Sequence, residues 1–262
     1  MPQPDLSIVL PTCNRGELLA RSLESIRTRT QCEYEVIVVD GASTDSTAAV
    51  LDAAAATLGD RLTVIREPRR EGFVRAANKG FAAATGRCMT WLNDDARPLP
   101  GAFDAAVRQV DASPADVGLV ALYHRIDARR NVAYECTIDG YPYRLLHVRG
   151  TLYANFGVGR RETFRDVGYF DERYYLNAAD PDFSLKLWNA GLRVVPAAYL
   201  AAAVDHDEHA DDRRATDTAR GDADNAALFA KWDLPPKNPD RNDYDPARPC
   251  TLRGLRAAAA AA

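Results

Sequence analysis

No run in these 262 residues approaches the ~20 apolar residues needed to cross a bilayer, and the alanine-rich stretches are too short and too weakly apolar to change that. The apolar run near the start, Leu6 to Pro11, is preceded by no basic segment and followed by no small-residue cleavage site, so no secretory signal is expected. No C-x-x-C pair occurs either. The five cysteines (Cys13, Cys32, Cys88, Cys136, Cys250) are scattered and odd in number, which speaks against a disulfide framework and against a zinc site. Inert thiols in a reducing cytoplasm are the expectation. Charge of one sign is missing as well: 33 Lys and Arg against 37 Asp and Glu leave a formal net charge of -4. A balance of that kind offers no basic surface for nucleic acid. There is no internal repeat.

What is present is an ordinary globular composition, 47% hydrophobic and 27% charged, over a length that suits one α/β domain and is short for two. Short β-branched runs at Leu6–Pro11, Tyr34–Asp40, Arg61–Arg66 and Arg87–Leu92 alternate with helical patterns, the signature of a parallel sheet with right-handed crossovers. Leu18, Leu19, Leu23 and Ile26 recur at helical spacing, so residues 16–29 are predicted as an amphipathic helix. The cluster Ser43 to Thr47 offers N-caps for an alanine-rich helix through Leu58, and Gly72 to Ala84 reads as a third crossover helix. Beyond Pro100 the pattern predicts a helix over 101–110 and a strand over 117–122, leaving 123–150 irregular or folded as a hairpin. Order returns at Phe156 to Gly159, with a helix over 182–190 and strands over 192–196 and 199–204. Residues 211–262 are expected to hold a C-terminal helix and a Pro-, Asp- and Arg-rich tail ending in six alanines.

Four clusters carry candidate chemistry. Pro11-Thr12-Cys13-Asn14-Arg15 ends the first buried strand, and ligands of open α/β sheets bind at carboxyl ends of strands. Asp40-Gly41-Ala42 places an acid at the next strand end, where it can accept from a base N–H or a ribose hydroxyl, or can simply close the strand while Asp45 caps the following helix. Asn93-Asp94-Asp95 sets two adjacent carboxylates at a third strand end. Like charges crowded together are costly without a cation, and hard oxygen donors suit Mg²⁺ or Mn²⁺ held jointly with phosphates; an ordinary turn is the competing explanation. Asn177-Ala178-Ala179-Asp180-Pro181-Asp182 precedes the apolar helix face of Phe183, Leu185 and Leu187. There Asp182 is explained by the helix dipole, whereas Asp180, ahead of a proline, is expected off the helix and free to face a cleft.

Together these segments, with Gly72 through Asn78-Lys79-Gly80 and Gly168-Tyr169-Phe170-Asp171-Glu172, resemble the inverting family-2 glycosyltransferases over about residues 6–210. The resemblance implies a GT-A-type fold: a single α/β domain with a doubly wound, mostly parallel sheet and helices on both faces. Residues 1–100 would bind a nucleotide-diphospho-sugar and 101–210 would hold the acceptor and the catalytic base. It implies that Pro11, Thr12, Asn14, Arg15 and Asp40 hold base and ribose, that Asn78 lies near the diphosphate or ribose, and that Asn93 and Asp94 face the sugar or ribose. Asp95 would ligate Mn²⁺ or Mg²⁺. His206, in Asp205-His206-Asp207-Glu208-His209, would support the metal in preference to His209, and Asp180 would be the general base. The chain departs from the family pattern at Asn93, usually an acid, and at Ala179, usually a glutamate.

The function expected is therefore transfer of a sugar from a UDP- or dTDP-linked donor to a hydroxyl-bearing acceptor. Two other classes compete. A catalytically inactive nucleotide-sugar-binding homologue is motivated by Asn93 and Ala179. A nucleotidylyltransferase would need a glycine-rich basic loop after the first strand, and residues 11–16 supply one glycine and one arginine. His124 and His147, without motif context, are expected at the surface or in structural roles. The aromatics Tyr123, Tyr134, Tyr141, Tyr143, Tyr153 and Phe156 either shape the acceptor pocket or pack among themselves. A homo-oligomer is compatible with everything above.

Overall fold

The computed structural model describes residues 3–127, 131–148, 150–199, 201–206 and 212–234, with no statement made of the side chains of 212–216 and 218. His209, Cys250 and the tail from 235, including its alanine run, lie outside the described residues.

The strands are β1 (Leu6–Thr12), β2 (Tyr34–Asp40), β3 (Leu62–Arg66), β4 (Cys88–Trp91), β5 (Ala96–Pro98), β6 (Val117–Ala121), β7 (Tyr123–Arg125), β8 (Val132–Ile138), β9 (Tyr141–Val148), β10 (Thr151–Tyr153), β11 (Gly157–Arg160), β12 (Arg193–Pro196) and β13 (Ala203–His206). The helices are α1 (Gly16–Arg29), α2 (Thr47–Leu58), α3 (Phe73–Ala83), α4 (Ala102–Ala112), α5 (Arg161–Val167), α6 (Ala179–Asn189) and α7 (Asp212–Lys231).

A seven-stranded sheet runs in the order β12-β6-β11-β4-β1-β2-β3. Within it β1 is buried along its whole length and paired in parallel with β2 on one side and β4 on the other. Strands buried on both faces read as continuous apolar runs, which is why β1, β2 and β4 are legible without alternation. The register sets Thr12 beside Asp40, so the two strands deliver their last residues to the same end of the sheet. Helix α3 packs on β1 so closely that a Cβ on Gly80 would stand 2.3 Å from Val9 Cγ1. Asp45 joins two helix starts, accepting from Gly16 N at 2.9 Å and Thr47 N at 3.0 Å. The capping expected of this segment thus serves α1 as well as α2.

The second half differs most from its sequence pattern. Residues 123–148 contribute three strands of a second, six-stranded sheet, with path β10-β9-β7-β13-β5 and β8 paired to β9. The hairpin β8–β9 is real, but β7 and β13 lie side by side although about eighty residues separate them in the chain. β11 enters the main sheet antiparallel, between β4 and β6, as an exception to the parallel pattern. β13 begins at Ala203 rather than at 199. Helix α6 begins at Ala179, three residues earlier than predicted, after Ala178 turns through the left-handed region at φ 66°. Asp180 is therefore inside the first helical turn and not ahead of it, since proline disfavours but does not forbid helix at the preceding residue. His124 and His147 are each 1% exposed, so they are structural and not superficial. Burial lowers the His124 imidazole to about 3. Cys13, Cys32, Cys88 and Cys136 are not joined in disulfides, and burial pushes the thiols of Cys32 and Cys88 up to about 12 and about 11.

Candidate active site

At the carboxyl ends of β1 and β4 the chain leaves a cavity of about 360 Å³, within the size range of small-ligand pockets. Pro11, Thr12 and Arg15 wall it from the end of β1 and the start of α1; Asn93, Asp94 and Asp95 from the turn after β4; His206 from the end of β13; Asp180 from the start of α6. Four segments distant in sequence thus converge on one space.

The acidic pair after β4 is buried, at 4% and 6% exposure. One guanidinium nitrogen, Arg15 Nη1, lies 3.0 Å from Asp94 Oδ1 and 2.8 Å from Asp95 Oδ2, and Thr12 Oγ1 donates to Asp94 Oδ2 at 2.9 Å. These contacts supply the positive charge that a crowded carboxylate pair requires. Asp95 Oδ1 faces His206 Nε2 at 3.2 Å. Burial pushes the Asp95 carboxyl up, but the hydrogen bond and charge of His206 together with Arg15 outweigh it and hold Asp95 below the ordinary carboxylate range. His206 Nε2 also stands 3.3 Å from the Asn93 side-chain nitrogen. The same ring nitrogen cannot donate to Asp95 and accept from Asn93 at once, so Nε2 serves Asp95 when it carries the proton and Asn93 when it is bare.

The bare form is also the one that binds a metal. Two donor atoms each ~2.1 Å from a shared ion lie roughly 3 Å apart when they subtend a right angle, so Asp95 Oδ1 and His206 Nε2 suit one cation between them. Among the described residues no three His, Cys, Asp or Glu side chains are grouped to hold a metal ion. Such a pair fits an ion whose remaining positions are filled by ligand oxygens.

Asp180 lines the cavity with Tyr153, the last residue of β10, and with Asn155 just beyond it. Its Oδ1 is buried without a hydrogen-bond partner, as is Asn155 Oδ1. Burial raises the Asp180 carboxyl to about 8, and the Asn155 and Trp91 side chains beside it offset only part of that. Its desolvation has its near neighbours in Trp91, Tyr153 and Asn155. Asp182 points elsewhere: 0% exposed, it accepts from Tyr174 Oη at 3.1 Å, Trp232 Nε1 at 2.7 Å and Lys231 Nζ at 2.9 Å.

Three further predicted residues do not line the cavity. Asn14, at φ 53°, ties two loops together by accepting from Thr44 N at 2.7 Å. Asn78 exchanges hydrogen bonds with the backbone of Phe170 at 2.9 and 3.0 Å and so anchors the loop before α6 on α3. Asp40 accepts from Ser43 N at 3.0 Å, and its neighbour Gly41 forms the wall instead. Sequence patterns missed Glu67, Arg70, Asp217 and Asn225, which also line the space. Arg70 Nη2 meets Asp217 Oδ2 at 2.5 Å, a pairing between the loop after β3 and α7 that no local spacing could signal. Of the aromatics in 123–156 only Tyr153 reaches the cavity; Tyr123, Tyr143 and Phe156 are core, and Tyr141 is exposed beneath the Arg125 guanidinium.

Residues 7–165 match the model of glycosyl transferase family 2. An uncharacterized glycosyltransferase of Bacillus subtilis, YwdF, is 28% identical over 69% of this chain and 67% of its own length. A PGL/p-HBAD biosynthesis glycosyltransferase of Mycobacterium tuberculosis is 37% identical over 36% of this chain, a stretch that spans 37% of that relative. Among solved structures, the mannosyltransferase PcManGT of Pyrobaculum calidifontis, in complex with GDP-Man and Mn²⁺, superposes with a TM-score of 0.67 at 22% identity, covering 90% of this chain and 66% of that one. Residues 1–349 of TarS from S. aureus, in complex with UDP-GlcNAc, give 0.60 at 19% identity over 81% of this chain and 61% of that one. Both structural likenesses establish a shared GT-A fold.

Proposed function

The chain belongs to glycosyl transferase family 2, and from that premise we propose that it moves a sugar from a UDP- or dTDP-linked diphospho-sugar to an acceptor hydroxyl. Transfer inverts the anomeric carbon, and Asp180 is the general base. The observation that carries this is the buried, unpartnered Asp180 Oδ1 facing the same cavity as the Arg15–Asp94–Asp95–His206 cluster. Asp180 Oδ1 is an acceptor with no donor, while the cluster around Arg15 is rich in charge.

An acceptor hydroxyl satisfies the open Oδ1 by donating to it. As its oxygen attacks the anomeric carbon in line, the proton passes to Asp180 and the bond to the departing nucleoside diphosphate breaks. No covalent intermediate is required. A carboxylate whose pKa is raised to about 8 is a stronger base than an ordinary one and is matched to work near neutral pH. Arg15 neutralises Asp94 and Asp95 and stands where it can turn toward diphosphate oxygens. Asp95 and His206 would hold a divalent cation, which supplies Lewis-acid neutralisation of the leaving diphosphate when bound. PcManGT with GDP-Man and TarS with UDP-GlcNAc support a nucleotide-sugar donor, and the Mn²⁺ of PcManGT supports a divalent metal. The wall formed by Gly41 with Arg70 and Asp217 is the proposed nucleobase end.

A thermal-shift screen of UDP, dTDP, GDP and ADP with and without MnCl₂ tests the donor class, since a ligand at about 100 times its Kd adds ~2.7 kcal/mol of stability to the native state. UDP or dTDP is expected to raise the midpoint, and more so with Mn²⁺. Transfer from a panel of UDP- and dTDP-hexoses, with anomeric configuration read by NMR, tests the rest; a product of retained configuration would remove Asp180 as base.

A further inference from the structure

The loop that delivers Asp180 is held from outside the part of the chain that matches the family. Tyr175, Leu176 and Asn177 present three consecutive backbone N–H groups to one carboxylate, that of Asp224 on α7, at 2.9, 2.8 and 2.9 Å. Asp224 is 5% exposed, so these bonds are made away from bulk water. Successive N–H groups that point inward form a concave anion site, and here the anion is a side chain of the protein itself. The loop is gripped from both sides. Toward α3, a Cβ on Gly72 would meet the Tyr175 carbonyl oxygen at 2.6 Å; toward α7, a Cβ on Gly221 would stand 2.3 Å from Asn177 Nδ2. Helix α7 is itself pinned at its far end, where Lys231 pairs with Asp171 at 2.7 Å and Asp182 at 2.8 Å and Trp232 donates to Asp182. Leu176, Asn177 and Ala178 line the cavity directly before the helix that carries Asp180.

We propose that Asp224 is a positioning residue of the transfer reaction: its carboxylate fixes the backbone of residues 175–177, and through that loop it sets the place and the dryness of Asp180. The proposal rests on the function assigned above. Without Asp224 the three N–H groups lose their partner together, the loop relaxes toward water, and Asp180 loses both its orientation and its desolvation.

The test uses the full chain with Asp224→Asn, an isosteric change that removes the charge and leaves one acceptor oxygen. Amide hydrogen exchange is expected to accelerate at 175–177 ahead of the core strands. In transfer from the best UDP- or dTDP-hexose of the panel, kcat should fall by about 10²-fold, the scale of a displacement of roughly 1 Å, with a much smaller change in donor KM. The basic-side plateau of the pH–rate profile should be reached at lower pH, because a wetter Asp180 returns toward the ordinary carboxylate range. A purely structural role for Asp224 lowers stability but leaves the pH profile of the folded protein unmoved. Unchanged exchange at 175–177, or faster exchange with kcat and pH profile intact, overturns the proposal. Should Asp224→Asn not fold, Gly72→Ala, whose Cβ would press on the Tyr175 backbone oxygen at 2.6 Å, displaces the same loop from the α3 side and must produce the same shift in profile. If wild type turns over no donor in the panel, the assigned function fails, while the exchange measurement still reports separately on the grip of Asp224.

Discussion

Two carboxylates two residues apart on α6 have opposite fates. Asp180 keeps an oxygen without a partner in the cavity, whereas Asp182 is saturated by Tyr174, Lys231 and Trp232. Asp180→Asn is expected to lower turnover by about 10²–10⁴-fold while donor binding persists, the usual contribution of a positioned base. Wild-type kcat should rise with pH and level off above about 8. Stability moves the other way. The folded-state pKa of Asp180 is raised from 3.8 to about 8, so the native state holds a proton that the unfolded chain has released. Its contribution is therefore fully present below the unfolded value and is lost as pH rises through that window. Asp180→Asn escapes this loss, and its denaturation midpoint relative to wild type should improve between about pH 4 and about pH 8 and then stay constant; a constant difference across that range would show that Asp180 titrates normally. Asp182→Asn, by contrast, weakens charge-assisted bonds in a fully buried site and should cost about 1.5–3 kcal/mol in urea unfolding, with kcat in the folded fraction little changed.

At the scale of elements, close approach explains what side-chain chemistry does not. Gly80 lets α3 lie on β1 with Val9 in the space a Cβ would need. Gly80→Ala should therefore overpack the core by about 1–3 kcal/mol, read as a lower unfolding midpoint, and tilt the helix whose Asn78 anchors the loop at Phe170. Unchanged stability would mean that α3 slides without cost. The strands β1, β2 and β4 were legible because burial on both faces writes a continuous apolar run into each. β8 is not so marked. It is only partly buried and pairs with β9 alone, and its apolar–polar alternation runs only from Tyr134 to Ile138, a short signal beside the charged residues that precede it. The early start of α6 was hidden by Pro181, whose steric effect on Asp180 is a bias that the surrounding packing overrides.

For the molecule as a whole, the metal-dependent ligand binding proposed above would depend on segments that meet only in the folded state. Asp95→Asn or His206→Ala should abolish the extra thermal shift that MnCl₂ gives to UDP or dTDP, and leave the fold of the free protein intact. An undiminished Mn²⁺ effect in both variants would take the cation away from this pair. The sequence by itself determined the family, the placement of Thr12, Arg15, Asp94 and Asp95 just past strand ends, and the candidacy of Asp180, because each rests on local pattern: an apolar run followed by a polar turn for the first four, and an acid–proline–acid step ahead of an apolar helix face for Asp180. Only the tertiary structure decided that Asn14 and Asn78 fasten loops and do not wall the cavity, that Arg15 is the counter-charge shared by the two aspartates, and that α7 supplies Asp217, Asn225 and Asp224 to the site. The reason is that a hydrogen bond or ion pair is fixed by where two groups lie in space, and for Asp224 and the loop it holds, that nearness is created by nearly fifty residues of intervening chain folding back on themselves.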